Sequence, residues 1–314
     1  MSSLVFRSRR GFATQARKVH AELTKSKPRA HVISKARLDK VSQLTPSTVE
    51  LQFTMEDPEF GFRSGNWVDC FIPGCDDIGG FTVTTPPQTL PTLHLAVKGG
   101  SNHAPTVAAI KAREGDEWHM RAGGNFEMKD ATRNVLFLAG GIGINPMVAM
   151  LREKALRWGW VRGEVRKARD VGELGELGAE GKVGEIGEDA RETVTGAGAG
   201  AGAGTGAGTG AEAGGARTGA AGGNAILLHS ARNGEELAFA EELAVMARGS
   251  SGAERSFEYV PWLTREGGPG EKKGERFDAA VVSSLLNSLA RNGDFSSGVD
   301  VCGCSGTDEC FVRP

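Results

Sequence analysis

Between about Ala30 and Glu127, apolar and polar residues alternate in short runs. Val49, Leu51, Phe53 and Met55 interleave with Glu50, Gln52 and Thr54, and Leu93, Leu95 and Val97 interleave with His94, Ala96 and Lys98. A period of two predicts half-buried strands. Trp67 to Ile72 and Trp118 to Arg121 are further strand candidates, and Pro and Gly clusters punctuate the region. Roughly six such strands predict a small antiparallel β-barrel. After Arg133 the pattern changes to apolar runs alternating with helical spacing: strands at Val135–Ala139, Ala225–His229, Ser256–Leu263 and Val299–Cys302, with helices from Asn145, over Glu235–Met246 and over Phe277–Ala290. Such alternation predicts an α/β unit with a parallel sheet covered on both faces. Ligands of such sheets bind at the carboxyl ends of the strands. Gly140 to Asn145, Ser230 to Arg232 and Cys302 to Thr307 are therefore expected along one rim.

The densest chemistry lies in VLFLAGGIGINPMVAML, residues 135–151. An apolar strand runs into Gly140, Gly141 and Gly143, which let the backbone turn and approach a ligand without a Cβ in the way. Asn145 reads as an N-cap and Pro146 as the first helical residue, with Met147, Met150, Leu151, Ala155 and Trp158 along one face. A helix starting there directs free N–H groups at a dinucleotide diphosphate. Pro146 stands where a GxGxxG fingerprint would have its third glycine, which argues against a generic Rossmann dehydrogenase. A purely structural strand–turn–helix is the alternative.

Between these elements lies an insertion, about 161–223, first acidic and glycine-rich and then nearly pure Gly and Ala. It offers little to bury and much entropy to lose, so it reads as a disordered loop. A chain of 314 residues, 39% hydrophobic, has room for two cores besides it. The formal net charge of -2 conceals an excess of +7 over residues 1–31. A basic body for nucleic acid is excluded. The N-terminal run carries Arg7, Arg9, Arg10 and Arg17 with no acid before Glu22, and has the character of a mitochondrial presequence with a cut expected after Phe12. The expected location is the mitochondrion, in the matrix. No apolar run reaches the roughly 18–20 residues of a membrane span. Five cysteines without a repeated CxxC pair fit a reducing compartment, and Cys302, Cys304 and Cys310 alone make a weak metal set, so no metal is expected.

Several motifs in order, GNWVDCFIPG (65–74), GGFTVTTPP (79–87), LAVK (95–98), GGNF (123–126), LAGGIGINPM (138–147), LLHSARNGEELAF (227–239) and VCG (301–303), resemble the ferredoxin–NADP reductase superfamily. Within it the chain is most like the mitochondrial oxidoreductase NAD-binding-domain-containing proteins. The resemblance implies a presequence at 1–29, a flavin-binding β-barrel at 30–130 and an NAD(P)-binding α/β domain at 131–314, interrupted by the insertion. It implies a flavoprotein oxidoreductase that passes hydride between NAD(P)H and FAD and delivers electrons to an unknown acceptor. Thr82 and Cys302 take the catalytic places. Phe81, Val83, Thr84, Lys98, Thr106 and Gly124 are matched to flavin contacts. Gly140, Gly141, Gly143, Ile144, Asn145, Pro146, Ser230, Arg232 and Gly303 are matched to the dinucleotide, NAD or NADP. Two departures stand out: Gly79 replaces the family's phosphate-gripping arginine, and Cys304-Ser305-Gly306-Thr307 replaces its proline-rich last loop. The family also continues past the position of Pro314 through a helix and a last strand, so a sheet short of one strand is expected. A nucleotide-binding or assembly protein that keeps the fold without flavin turnover is the second reading. A two-domain dehydrogenase without flavin is the third; Phe81 as a core aromatic and Arg232 as a solvated charge are the plain alternatives at those positions.

Overall fold

The computed structural model describes residues 19–128, 134–160, 224–251, 256–265, 299–304 and 310–313. The first part is an antiparallel sheet of six strands: β1 (Ser34–Thr45), β2 (Thr48–Met55), β3 (Trp67–Phe71), β4 (Gly79–Thr82), β5 (Thr92–Lys98) and β6 (Glu117–Gly123), in the order β4-β3-β6-β1-β2-β5. A bridge between Val83, just past β4, and Leu95 of β5 joins the two ends and closes the barrel. β1 is long enough to pair with β6 through Ser34–Arg37 and with β2 through Ala36–Thr45, and register shifts after Leu38 and Gln43 bend it around the corner. Leu38, Leu51, Phe53, Val68, Leu93, Leu95 and Met120 fill the interior. A short helix, α2 (Ala104–Ile110), follows β5.

The second part has a five-stranded sheet: β7 (Asn134–Gly140), β8 (Ala225–Ala231), β9 (Phe257–Leu263), β10 (Val299–Cys304) and β11 (Cys310–Arg313), ordered β11-β10-β7-β8-β9. β10, β7, β8 and β9 run parallel, and β11 is an antiparallel edge. Helices α3 (Asn145–Trp158) and α4 (Ala240–Ser250) pack on it, with Phe137, Leu227, Met147, Leu151 and Leu243 at the centre. The segment expected at most to begin a helix near the C-terminus instead contains a strand, Cys310–Arg313, because it pairs residue for residue with β10. The helix expected over Glu235–Met246 is split: Gly234–Glu236 form a 3-10 turn, Phe239 takes a left-handed conformation at φ 62°, and α4 starts at Ala240. The insertion at 161–223, the helix expected over Phe277–Ala290 and residues 1–18 lie outside the described residues.

One expectation about the barrel changes. Alternation in β5 left His94 and Ala96 on an outer face, yet both are buried, at 4% and 2% exposure. The α/β unit docks there, so β5 is covered on both sides and Ala96 belongs to the second core. Helix α1 (His20–Leu23) and the chain to Arg29 lie across β3, β4 and β6, where His20 stacks edge-on to Trp67 and Arg29 sits over the same ring. His20, Arg29 and Arg121 all contact the buried Asp69 carboxylate, at 3.1, 2.8 and 2.7 Å. Burial raises the pKa of that carboxyl, but the hydrogen bonds from His20, Arg29 and Arg121 outweigh it and hold it down at about 2.

Candidate functional site

The rim of the parallel sheet is set by register: Gly140 of β7 stands opposite Ser230 of β8, which in turn stands opposite Trp262 of β9. At this level the chain leaves β7 through a 3-10 turn, Gly141–Ile144, and enters α3. Gly141 is left-handed, at φ +52°, and a Cβ placed on it would meet nothing within 4 Å. Among the described residues the space beside Gly141 is thus open, and the dipole of α3 starts behind the bend. Gly143, Ile144 and Pro146 are buried beneath it. Asn145 corrects an expectation. The 3-10 turn takes over the capping position, Asn145 is already helical at φ −50°, and its Nδ2 donates instead to the carbonyl of Ala96 in the barrel, at 2.9 Å. Its Oδ1 is buried without a hydrogen-bond partner.

Beside the bend stands His229, which sequence reasoning passed over. It is fully buried at the end of an apolar strand, its Nδ1 lies 3.3 Å from the Tyr259 hydroxyl, and its ring meets the backbone of Gly141. Burial lowers its pKa to about 4; the backbone of Gly141 pulls the other way and the Lys98 ammonium adds to the lowering. A lone imidazole in an otherwise apolar strand was the signal that could have found it.

Lys98 closes the space between the units. Its Nζ donates to Glu236 at 2.9 Å, and Glu236 also accepts from Ser47 at 2.5 Å. These two donors hold the Glu236 carboxyl below the usual carboxylate range. The three residues edge a cleft of about 960 Å³ that is also lined by Arg232, Asn233 and Arg265. Arg232 is exposed and Ser230 half-buried at the end of β8. The Asn233 Oδ1 is buried and unpartnered. The glycine-rich bend with α3 behind it, and Lys98, Arg232 and Arg265 lining the cleft, offer positive charge and donors that fit an anionic dinucleotide, while Glu236 already takes up Lys98.

The barrel side is mixed. Phe81 and Thr82 are half-buried, and Thr82 pairs with Trp67 across β3 and β4. Val83 and Thr84 are fully buried. Val83 faces the barrel core, and the Thr84 hydroxyl donates to the His94 carbonyl at 3.2 Å, so neither reaches a ligand as the motif suggested. Thr106 is half-buried on α2. The N–H of Gly124, matched to a flavin contact, already donates to the Pro28 carbonyl at 2.9 Å. At Gly79 a Cβ would lie 2.7 Å from the Phe81 ring and 2.9 Å from Pro105. The ring of Phe81 has taken the space in which an arginine would begin. Thr82, Lys98 and Thr106 are the partly exposed members of the set matched to flavin contacts, and β4 carries no cation at position 79. Cys302 pairs in register with Phe137 and Cys304 with Ala139, so Cys302 stands two positions short of Cys304 within β10 and Gly303 beside Leu138. The rim position expected for Cys302 falls to Cys304. Residues 305–307 lie outside the described residues.

An antiparallel barrel leading into a parallel sheet, with the cleft between them, defines a class by its fold: the two-domain arrangement is that of solved ferredoxin–NADP+ reductases. The chain superimposes on ferredoxin-NADP+ reductase from Plasmodium falciparum with 2'P-AMP at a TM-score of 0.55 and 10% identity, covering 86% of each chain. Against the Neisseria gonorrhoeae ferredoxin NADP+ reductase with bound FAD and NADP the TM-score is 0.50 and the identity 15%, over 86% of this chain and 85% of that one. In sequence it is similar to Oxidoreductase NAD-binding domain-containing protein 1 of Homo sapiens, 37% identical over 144 residues, 43% of this chain and 46% of that protein. The match thus spans about half the length of that relative. No family model matches the chain. No helix among the described residues is long and apolar enough to cross a membrane.

Proposed function

We propose that this chain is an NAD(P)H-dependent flavoprotein oxidoreductase whose dinucleotide rests its diphosphate on the Gly140–Gly143 bend. The left-handed position at Gly141, where a Cβ would meet no described residue within 4 Å, is the observation that carries this reading. Ser230 and Arg232 serve the adenosine end, and Lys98, drawn toward Glu236, adds positive charge to the cleft. Thr82 supports the flavin ring, and Lys98 and Thr106 take over the phosphate contact that position 79 lacks. A flavin held there would supply the hydride acceptor and the means to pass electrons on singly or in pairs to an acceptor on a partner. The chain's own residues bind, align and exclude water, so no acid–base pair is required. The relatives' names, an oxidoreductase NAD-binding protein and reductases with FAD and NADP, support the same cofactors. We place the protein in the mitochondrial matrix on the strength of the basic N-terminal run; residues 1–35 fused to a fluorescent protein will mark mitochondria, and a diffuse cytosolic signal refutes it.

A second reading, a nucleotide-binding or assembly protein without flavin turnover, draws on the packing of Phe81 over Gly79. Titration of the full-length protein with FAD, followed by diaphorase assay with ferricyanide, separates the two. Flavin uptake with turnover supports the reductase, and NADH binding without either supports the second reading.

A further inference from the structure

The segment that leaves β4 is gripped from the other unit. Arg152 lies on α3, about two turns beyond the glycine bend, and is 3% exposed. Each nitrogen of its guanidinium makes a bond: Nε donates to Glu242 Oε1 at 2.7 Å, Nη2 to Glu242 Oε2 at 2.7 Å, and Nη1 to the Thr84 carbonyl at 2.9 Å. The ring of Phe239 lies 5.1 Å from Cζ. Thr84 in turn donates its N–H to the His94 carbonyl at 3.0 Å, and the His94 imidazole lies 3.3 Å from Glu50. A continuous set of polar contacts thus runs from α4 through α3 to β5 and β2. Burying an ion pair is a poor way to gain stability, since well-packed apolar residues usually do as well. What the fork provides is geometry: two parallel bonds fix the plane of the guanidinium and aim its third nitrogen at one carbonyl.

We propose that Arg152 is a positioning residue for hydride transfer: held by Glu242, it fixes the Thr84 carbonyl and thereby the placement of Thr82 relative to the bend that begins α3. Only Val83 separates Thr82 from Thr84, and α3 carries Arg152 rigidly from the bend. This role rests on the function proposed above. Lysine at 152 keeps the charge but loses the fork.

The test uses the full-length chain as wild type, Arg152→Lys and Arg152→Met. In the ligand-free proteins, hydrogen exchange at the amides of Val83, Thr84 and Thr85 will quicken about tenfold or more in both variants, while Ile226–Leu228 of β8 exchange as in wild type. In the FAD-loaded proteins mixed with NADH or NADPH, the hydride-transfer rate will fall about 10- to 100-fold, as expected for a misplacement of about 1 Å. The KM for the dinucleotide will move less than about threefold, and the long-wavelength charge-transfer absorbance of the stacked rings will weaken. Unchanged exchange and an unchanged rate in Arg152→Lys overturn the proposal, as does a parallel loss of affinity, rate and melting temperature, which marks a merely structural residue. Should Arg152→Met fail to fold, Arg152→Lys carries the test alone. A wild-type chain that takes up no flavin refutes the proposed function and with it the positioning role; the exchange measurement then still reports whether Arg152 holds Thr84.

Discussion

Replacing Gly141 separates the cost to the fold from the cost to the ligand. The residue is left-handed, and a side chain there points into open space. Asn and Asp tolerate this conformation better than other residues, so Gly141→Asn and Gly141→Asp should each destabilise the fold by about 1 kcal/mol or less. For a ligand the same atoms stand in the way. Loss of one charge-assisted amide–phosphate contact costs about 1.5–3 kcal/mol, which is roughly a 10- to 150-fold weaker Kd. The aspartate adds repulsion of about 1–4 kcal/mol at about 4 Å, for effective dielectric constants between those of water and a protein surface. Calorimetric titration with NADH and NADPH, alongside thermal melts, reads both effects. The expected order of affinity is wild type, then Asn, then Asp, with Asp weaker by a further fivefold at least and the melts nearly superimposed. Equal affinity in all three proteins would mean that no diphosphate lies on this bend.

Restoring the family's arginine at position 79 should harm the protein, because its Cβ meets Phe81 and Pro105 at 2.7 and 2.9 Å. Gly79→Arg is expected to lose about 1–3 kcal/mol in urea unfolding without tighter FAD binding, and a gain in FAD affinity would show that the Phe81 ring yields. His229, depressed from 6.5 to about 4 in the folded state, contributes stability that is complete above pH 6.5. As pH falls below 6.5 the unfolded chain binds the proton first, so about 3 kcal/mol is lost by pH 4. His229→Gln should flatten that part of the pH–stability curve, and an unaltered slope refutes the assignment. Glu236→Gln frees the Lys98 ammonium toward the cleft and should tighten dinucleotide binding about two- to fivefold at low salt, an effect that fades at high salt; weaker binding would show that the Lys98–Glu236 contact holds the site open.

The strands of the barrel were legible because alternation in β2 and the Trp67 and Trp118 runs reports one dry and one wet face. That same rule misplaced His94 and Ala96, since periodicity within a strand says nothing of a second unit docking on its outer face. The glycine bend was legible from Gly140, Gly141 and Gly143, whereas the duty of Asn145 was not: a cap is a local pattern, and its bond to the Ala96 carbonyl spans 49 residues. Arg152 and Glu242 lie 90 residues apart on two different helices, so only the fold reveals the pair. His20 and Arg29 read as leader charges by composition. Their contacts with Asp69 depend on a β3 residue whose burial a single carboxylate in a strand does not announce.

Anaerobic addition of NADH or NADPH to the full-length protein loaded with FAD tests the central claim most directly. The account predicts loss of the oxidised-flavin absorbance near about 450 nm, and its return when an electron acceptor is admitted. Absorbance that stays unchanged with both dinucleotides, in a protein that holds its flavin, would contradict it.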